Sequence, residues 1–149
     1  MPDPGDPECP ACAHGYQPVN DELLDVTRVD PSMAGASGGH SLITTPGDLT
    51  RFLQHLRAGA LFTQPATIES MFAFQTAIES ETRQTGYGFG VMQITSDGDS
   101  AIGHLGGTAG YQSFMLYVPA TDRYLSGFIN VMGGLAPVLG PVLARVATP

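Results

Sequence analysis

Residues 111–118 and 124–132 are apolar on both parities, and this constrains the fold more than any other feature of the chain. In the first segment Tyr111, Ser113, Met115 and Tyr117 alternate with Gln112, Phe114, Leu116 and Val118. In the second, Leu125, Gly127, Ile129 and Val131 oppose Tyr124, Ser126, Phe128 and Asn130. A strand with one wet face separates apolar from polar side chains. These do not, so both faces of their sheet must be covered. The stretch from Leu135 to Val146 is apolar nearly all round, with Arg145 as its only charge, and predicts a helix that is itself sandwiched. The expected architecture is α/β in composition (α+β in arrangement): an antiparallel meander with flanking helices.

The chain of 149 residues is long enough for one domain with a real core. Charged residues make up 13%, against about 25% in an ordinary soluble domain. This shortfall predicts that part of the surface is meant to be covered. A net charge of −8 argues against nucleic acid as a partner, because phosphate binding needs a basic stripe. Residues 124–144 carry no charge, but glycines, prolines, Ser126 and Asn130 interrupt them, so no membrane span is predicted. Met1-Pro2-Asp3-Pro4 has neither the basic start nor the apolar run of a signal peptide.

Residues 1–44 read as a loop-rich lead-in, rich in proline early and in glycine at 35–39. Thr45-Pro46-Gly47-Asp48 offers an N-cap, a proline at the first helical position and an acid at the third. Leu49, Phe52, Leu53 and Leu56 then recur at helical spacing, with Asp48 and Arg51 placed to pair on the outer face. A second helix starts near Pro65 and runs through Ile68, Met71 and Phe72, so residues 45–74 hold two helices. Antiparallel strands fill residues 86–132: one over 87–95, a short one over 100–105, then 111–118 and 124–132. A C-terminal helix spans 135–147, with its regular part delayed by Pro141. The whole is a single partial domain over 1–149.

Gly103-His104-Leu105-Gly106-Gly107-Thr108-Ala109-Gly110-Tyr111 reads as a glycine-rich turn headed by a histidine. Backbone N–H groups in such a run approach a ligand closely, and the imidazole beside them donates hydrogen bonds near neutral pH. All six basic residues are arginine; there is no lysine. Together these suggest half of an active site. Cys9-Pro10-Ala11-Cys12 is either a small local disulfide or two free thiols. A zinc site recruiting His14 leaves the ligand shell incomplete, so no metal and no cofactor are expected. A disulfide would suit an oxidising compartment. His14, His40 and His55 have no evident role and read as structural or solvated. Gly35-Ala36-Ser37-Gly38-Gly39 fits Gly-x-Ser-x-Gly, and Asp97 or Asp99 followed by His104 would complete the chain order of an α/β-hydrolase triad. The strand and parallel βαβ series such a turn requires are not evident around it.

The order of elements resembles a known family. Gly38-Gly39-His40-Ser41-Leu42-Ile43-Thr44-Thr45-Pro46-Gly47-Asp48-Leu49-Thr50-Arg51-Phe52 is similar to the Gly-Gly-x-x-Ser-Thr-x-x-Asp-Leu-x-Arg-Phe helix of serine β-lactamase-like proteins. These are the class C β-lactamases, D-alanyl-D-alanine carboxypeptidases and related esterases of the penicillin-binding fold. Tyr87-Gly88-Phe89-Gly90 resembles the segment before the family's third motif. Residues 103–111 resemble that motif, with His-x-Gly in place of the commoner Lys-Thr-Gly. The likeness runs from about residue 14 to the C-terminus.

The resemblance implies a serine acyl hydrolase. His104 would line the cleft, contacting the polar end of the substrate or completing a proton network. Gly107 would supply a backbone N–H to the oxyanion hole. Gly106 would keep the strand free of a side chain where substrate lies, with Thr108 beside it. The family also needs a Ser-x-x-Lys helix and a Tyr-x-Asn or Ser-x-Asn loop, and neither occurs here. The chain therefore resembles the C-terminal segment of such a domain and is expected to be inactive alone. Its expected partners are the N-terminal part of the same domain or a second copy of itself, and a small acyl substrate (β-lactam, peptide or ester). The family resemblance implies a periplasmic or extracellular location. Two alternatives stand beside this: a non-catalytic binding or scaffold module derived from the fold, and a small esterase using Ser37 and His104.

Overall fold

A computed structural model describes residues 12–27, 42–76, 84–96 and 98–148. Its strands are β1 (Tyr16–Val19), β2 (Glu22–Asp25), β3 (Gln75–Thr76), β4 (Gln84–Tyr87), β5 (Met92–Ser96), β6 (Asp99–Thr108), β7 (Tyr111–Val118) and β8 (Arg123–Ile129). The helices are α1 (Pro46–Arg57), α2 (Pro65–Met71) and α3 (Leu135–Ala147). Strands β3 to β8 form one six-stranded sheet in sequence order, every neighbour antiparallel, and β1–β2 is a separate hairpin. This is the α+β meander with flanking helices that the apolar parities require.

Each face of the sheet is covered by a different helix. Ala101, Gly103 and Leu105 of β6 point toward α3, whose Leu135, Leu139 and Leu143 lie one turn apart on its buried stripe. Ile94, Leu116 and Val118 complete that core. The opposite face carries Tyr117 and Met115, packed under Leu53 and Leu56 of α1, with Phe62, Ile68, Met71 and Tyr124 around them. α1 is pinned at both ends. The Ser126 hydroxyl meets the Pro46 carbonyl and lies 2.6 Å from Thr50 Oγ1. At the other end the Arg57 guanidinium lies 3.2 Å from the centroid of the Tyr117 ring and donates to the Tyr124 hydroxyl.

The N-terminus of α1 forms as its sequence predicts. Thr45 accepts from the Asp48 amide at 3.2 Å, Pro46 occupies the first turn, and Asp48 pairs with Arg51. Hydrogen bonds from Thr45 and then Arg51 hold the Asp48 carboxyl below its ordinary range. Phe52, in contrast, is exposed, because the buried stripe of α1 runs through Leu53 and Leu56.

Several elements differ from expectation. Residues 87–95 are not one strand: Gly88-Phe89-Gly90-Val91 turns between β4 and β5, closed by Gly88 N donating to Val91 O at 2.8 Å, with Gly90 at φ +74°. The glycine-rich run is mostly strand, since β6 extends to Thr108 and the turn is confined to Ala109-Gly110. α3 passes through Pro141 without delay, because the loss of one backbone donor is outweighed by its leucine stripe. Its outer face, with Val138 at 41% exposure, is bare among the described residues, so the expected sandwiching is not complete here. Within the expected loop-rich lead-in, residues 16–25 form a hairpin. Asn20 and Asp21 both take positive φ (49° and 65°), as a two-residue type I′ turn demands. Cys12 is disulfide-bonded, and Cys9 lies outside the described residues.

That hairpin braces the β6–β7 turn. Tyr16 N donates to Asn130 O at 2.9 Å, Met132 N to Tyr16 O at 3.0 Å, and the Tyr111 hydroxyl to Ala13 O at 2.9 Å. The brace is closed by Asp25, whose carboxylate accepts from the Thr27 hydroxyl (2.6 Å), the Thr27 amide (3.0 Å) and His14 Nδ1 (2.7 Å). These bonds, Thr27's first and His14's next, hold the Asp25 carboxyl far below its ordinary range.

Two predictions follow from packing and charge. A Cβ on Gly103 would stand 1.9 Å from the Met115 carbonyl oxygen, whereas one on Gly107 meets nothing nearer than 3.9 Å. Gly103→Ala should cost about 1–3 kcal/mol in denaturant unfolding, and Gly107→Ala should stay within roughly 0.5 kcal/mol; equal effects would contradict the tight β6–β7 approach. The Asp25 contribution is complete above its unfolded value of about 3.9 and is lost as pH falls through the lowered folded value. Amide exchange at residues 14–27, referenced to the intrinsic rate at each pH, should therefore lose protection between about pH 5 and pH 2. Asp25→Asn should remove that pH dependence, and an unchanged profile would refute the carboxylate's role.

Candidate active site

β6 is longer than its neighbour β5, and this one mismatch creates the candidate site. The β5–β6 register ends at Met92 opposite Gly103, while the β6–β7 register continues to Thr108 opposite Tyr111. Residues 104–108 are therefore paired along one edge. Among the described residues no strand pairs with the other.

The hairpin geometry decides which backbone groups face that open edge. In a two-residue loop the flanking pair, here Thr108 and Tyr111, is hydrogen-bonded, and such pairs recur every second residue. Gly106–Ser113 and His104–Met115 are then bonded to β7. Leu105 and Gly107 fall between them and direct their N–H and C=O groups outward. Gly107 is exposed, so its amide reaches solvent.

Side-chain alternation sorts the same residues by face. His104, Gly106 and Thr108 lie on the α1 side of β6, in line with Ile102. α1 itself covers the neighbouring positions on β7 and β8, Met115 through Tyr124, leaving His104 half-buried beside it. A Cβ on Gly106 would sit 2.7 Å from Ser113 Oγ, so the bare backbone at 106 lies next to a hydroxyl.

The His104 ring is held by a residue 17 positions away. Its Nε2 lies 3.2 Å from the Tyr87 hydroxyl, and the two rings meet edge-to-face with centroids 6.2 Å apart and planes at 77°. Tyr87 sits on β4, so its phenol reaches past β5 to the imidazole. The ion pairs among the described residues are His14–Asp25 and Asp48–Arg51, and His104 belongs to neither. Its side-chain partner is thus the Tyr87 hydroxyl, beside an open strand edge.

The structure brings together four of the residues singled out in the sequence: His104, Gly106, Gly107 and Thr108 share one strand end. Ser37 and Asp97, like His40, lie outside the described residues. Asp99 does lie on β6, but its odd parity puts it on the face opposite His104 and five residues along the strand. It cannot orient that imidazole as a triad acid. The described sheet pairs antiparallel throughout, without the parallel strand series of an α/β-hydrolase. His14 is engaged with Asp25 in the brace, and His55 is exposed on α1. Tyr87 and Ser113 were not legible as site residues. Both are brought in by strand register, which local sequence does not encode.

Residues 3–147 match the family profile described as Beta-lactamase. No curated protein matches the chain. Among solved structures it is similar to the D-amino acid amidase of Ochrobactrum anthropi SV3 bound to D-phenylalanine, at 20% identity and a TM-score of 0.68, over 95% of this chain and 46% of that one. The same amidase with L-phenylalanine amide gives 22% identity and a TM-score of 0.72, over 91% and 41%. A D-stereospecific amidohydrolase from Streptomyces sp. gives 29% identity and a TM-score of 0.60, over 80% and 35%. The chain therefore spans less than half the length of these structures. With nearly all of its residues inside the matched region and the antiparallel sheet flanked by helices in place, the chain belongs to the Beta-lactamase family.

Proposed function

We propose that this chain is the C-terminal portion of a serine acyl hydrolase and supplies the wall of the cleft that stabilises the tetrahedral intermediate. The observation that carries this reading is the open edge of β6. It sets an outward N–H at Gly107, an exposed residue, three positions along the same strand end from His104. In this role the Gly107 amide donates to the developing oxyanion, a bond whose loss costs roughly 2.7–4 kcal/mol of transition-state stabilisation. His104 contacts the polar end of the substrate or relays a proton. Gly106 leaves room for the acyl group along the strand, and Thr108 lies next to it.

The attacking group has to come from elsewhere. Acyl transfer in this family needs a serine activated by lysine, and the chain contains no lysine. The N-terminal part of the same domain would bring that pair to the open edge. The similar amidases act, by their names, on D-amino acid amides and D-configured substrates, so amides of D-amino acids join β-lactams, peptides and esters as candidates. The disulfide at Cys12 suits the periplasmic or extracellular location proposed for the chain. No helix among the described residues is long and apolar enough to cross a membrane.

Two bare surfaces support the need for a partner. Among the described residues the outer edge of β8 pairs with no named strand, and Val138 exposes the back of α3. In its absence a second copy of the chain should cover them.

Residues 1–149 alone should give no covalent adduct with a β-lactam by mass spectrometry, and the protein extended by its upstream coding region should acylate. His104→Ala in that extended protein should slow acylation roughly 10²–10³-fold. A stoichiometric adduct on 1–149 alone would overturn the division of labour. In light scattering 1–149 should self-associate, and a monodisperse monomer that binds no hydrophobic dye would count against the covered surfaces.

A further inference from the structure

We infer that Tyr87 is a positioning residue for His104: its phenol donates to Nε2 and so holds the neutral imidazole with its proton on Nδ1. The inference rests on the reading of His104 as a cleft residue but makes a claim about the ring that does not depend on turnover. Free imidazole side chains favour the proton on Nε2. A hydrogen bond received at Nε2 excludes that tautomer and makes Nδ1–H the donor. The Tyr87 hydroxyl lies 3.2 Å from Nε2. A phenol is a better donor than acceptor toward a basic nitrogen, and no charged side chain among the described residues pairs with His104 to reverse the preference.

The geometry gives this a purpose. His104 stands where β6 becomes free of β5, so one ring nitrogen is tethered toward β4 and the other is left to a ligand. With Nδ1–H as donor, His104 presents an N–H on the same strand end as the outward amide of Gly107. The two residues stand three positions, or about 10 Å, apart along the strand, so the two donors favour a ligand with acceptor oxygens on separate groups. Tyr87 is itself fixed. Its strand pairs with β5 through Met92, and the following Phe89 amide donates to the Met71 carbonyl of α2 at 3.1 Å. The tether joins two side chains of the chain itself and requires no bound substrate.

The test is the imidazole ¹⁵N chemical shifts of His104 in the 1–149 chain above the titration of the ring. The wild type should be predominantly the Nδ1–H tautomer. Tyr87→Phe should switch it to predominantly Nε2–H, and Tyr111→Phe, which removes a hydroxyl bonded to Ala13, should leave it unchanged. Amide spectra of β6–β8 report whether each variant is folded. A wild-type ring already carrying its proton on Nε2, or a folded Tyr87→Phe with the tautomer unmoved, overturns the assignment; should Tyr87→Phe fail to fold, the wild-type tautomer alone decides. A tautomer switch in 1–149, combined with a His104→Ala that leaves acylation by the extended protein intact, would keep the Tyr87 assignment and remove the hydrolase role of His104.

Discussion

The ladder between β6 and β7 is the interaction on which the rest of this structure depends. It runs from Ile102–Tyr117 to Thr108–Tyr111 and is closed by a two-residue turn. One side of that ribbon makes the core with α3, through Leu105 and Leu116. The other gives α1 its seat at Tyr117. The same ribbon projects past β5 and so carries an edge that is bonded on one side and bare on the other. Fold and site are therefore not separate achievements of the sequence. Gly103 lets the strands approach, and three residues later Gly106 leaves the α1 side of the ribbon without a side chain.

The projecting end would fray if nothing held it, because a hairpin paired on one side is marginal in water. The N-terminal hairpin supplies the hold. It packs Gly15 against the Tyr111 ring and Val26 against Gly110, and Asp25 ties its own ends together. Tyr87 adds a second restraint from the opposite flank, on the His104 ring. The open edge is thus stiffened by contacts at its tip and its base while its hydrogen-bonding groups remain unspent. This preorganisation is what an oxyanion site requires, since donors that must reorient on reaction contribute little.

How far the sequence revealed this varies with the range of the interaction. The N-terminus of α1 was legible because Thr45, Pro46 and Asp48 act within one turn. The C-terminal helix was legible from its leucines, although Pro141 suggested a later start than packing allows. The double-faced apolarity of 111–118 requires the two helical layers without reference to any contact. The β1–β2 hairpin is poorly legible although Asn20-Asp21 suits a type I′ turn. Its strands are short and its outward residues, Leu23 and Leu24, blur the alternation. Gly106 and Gly107 suggest a turn, yet neither takes positive φ, and both stand within β6. The Tyr87–His104 contact was invisible because it depends on β4, β5 and β6 standing in that order.

The most direct test of the central claim is residue-resolved amide hydrogen exchange along β6, measured on the 1–149 chain. An edge bonded to β7 and open on the other side predicts alternation: His104, Gly106 and Thr108 protected, Leu105 and Gly107 exchanging near the rate of an unstructured amide. Uniform protection from 104 to 108, or protection at Gly107 with exchange at Gly106, would mean that the Gly107 amide is already spent and the proposed oxyanion donor does not exist.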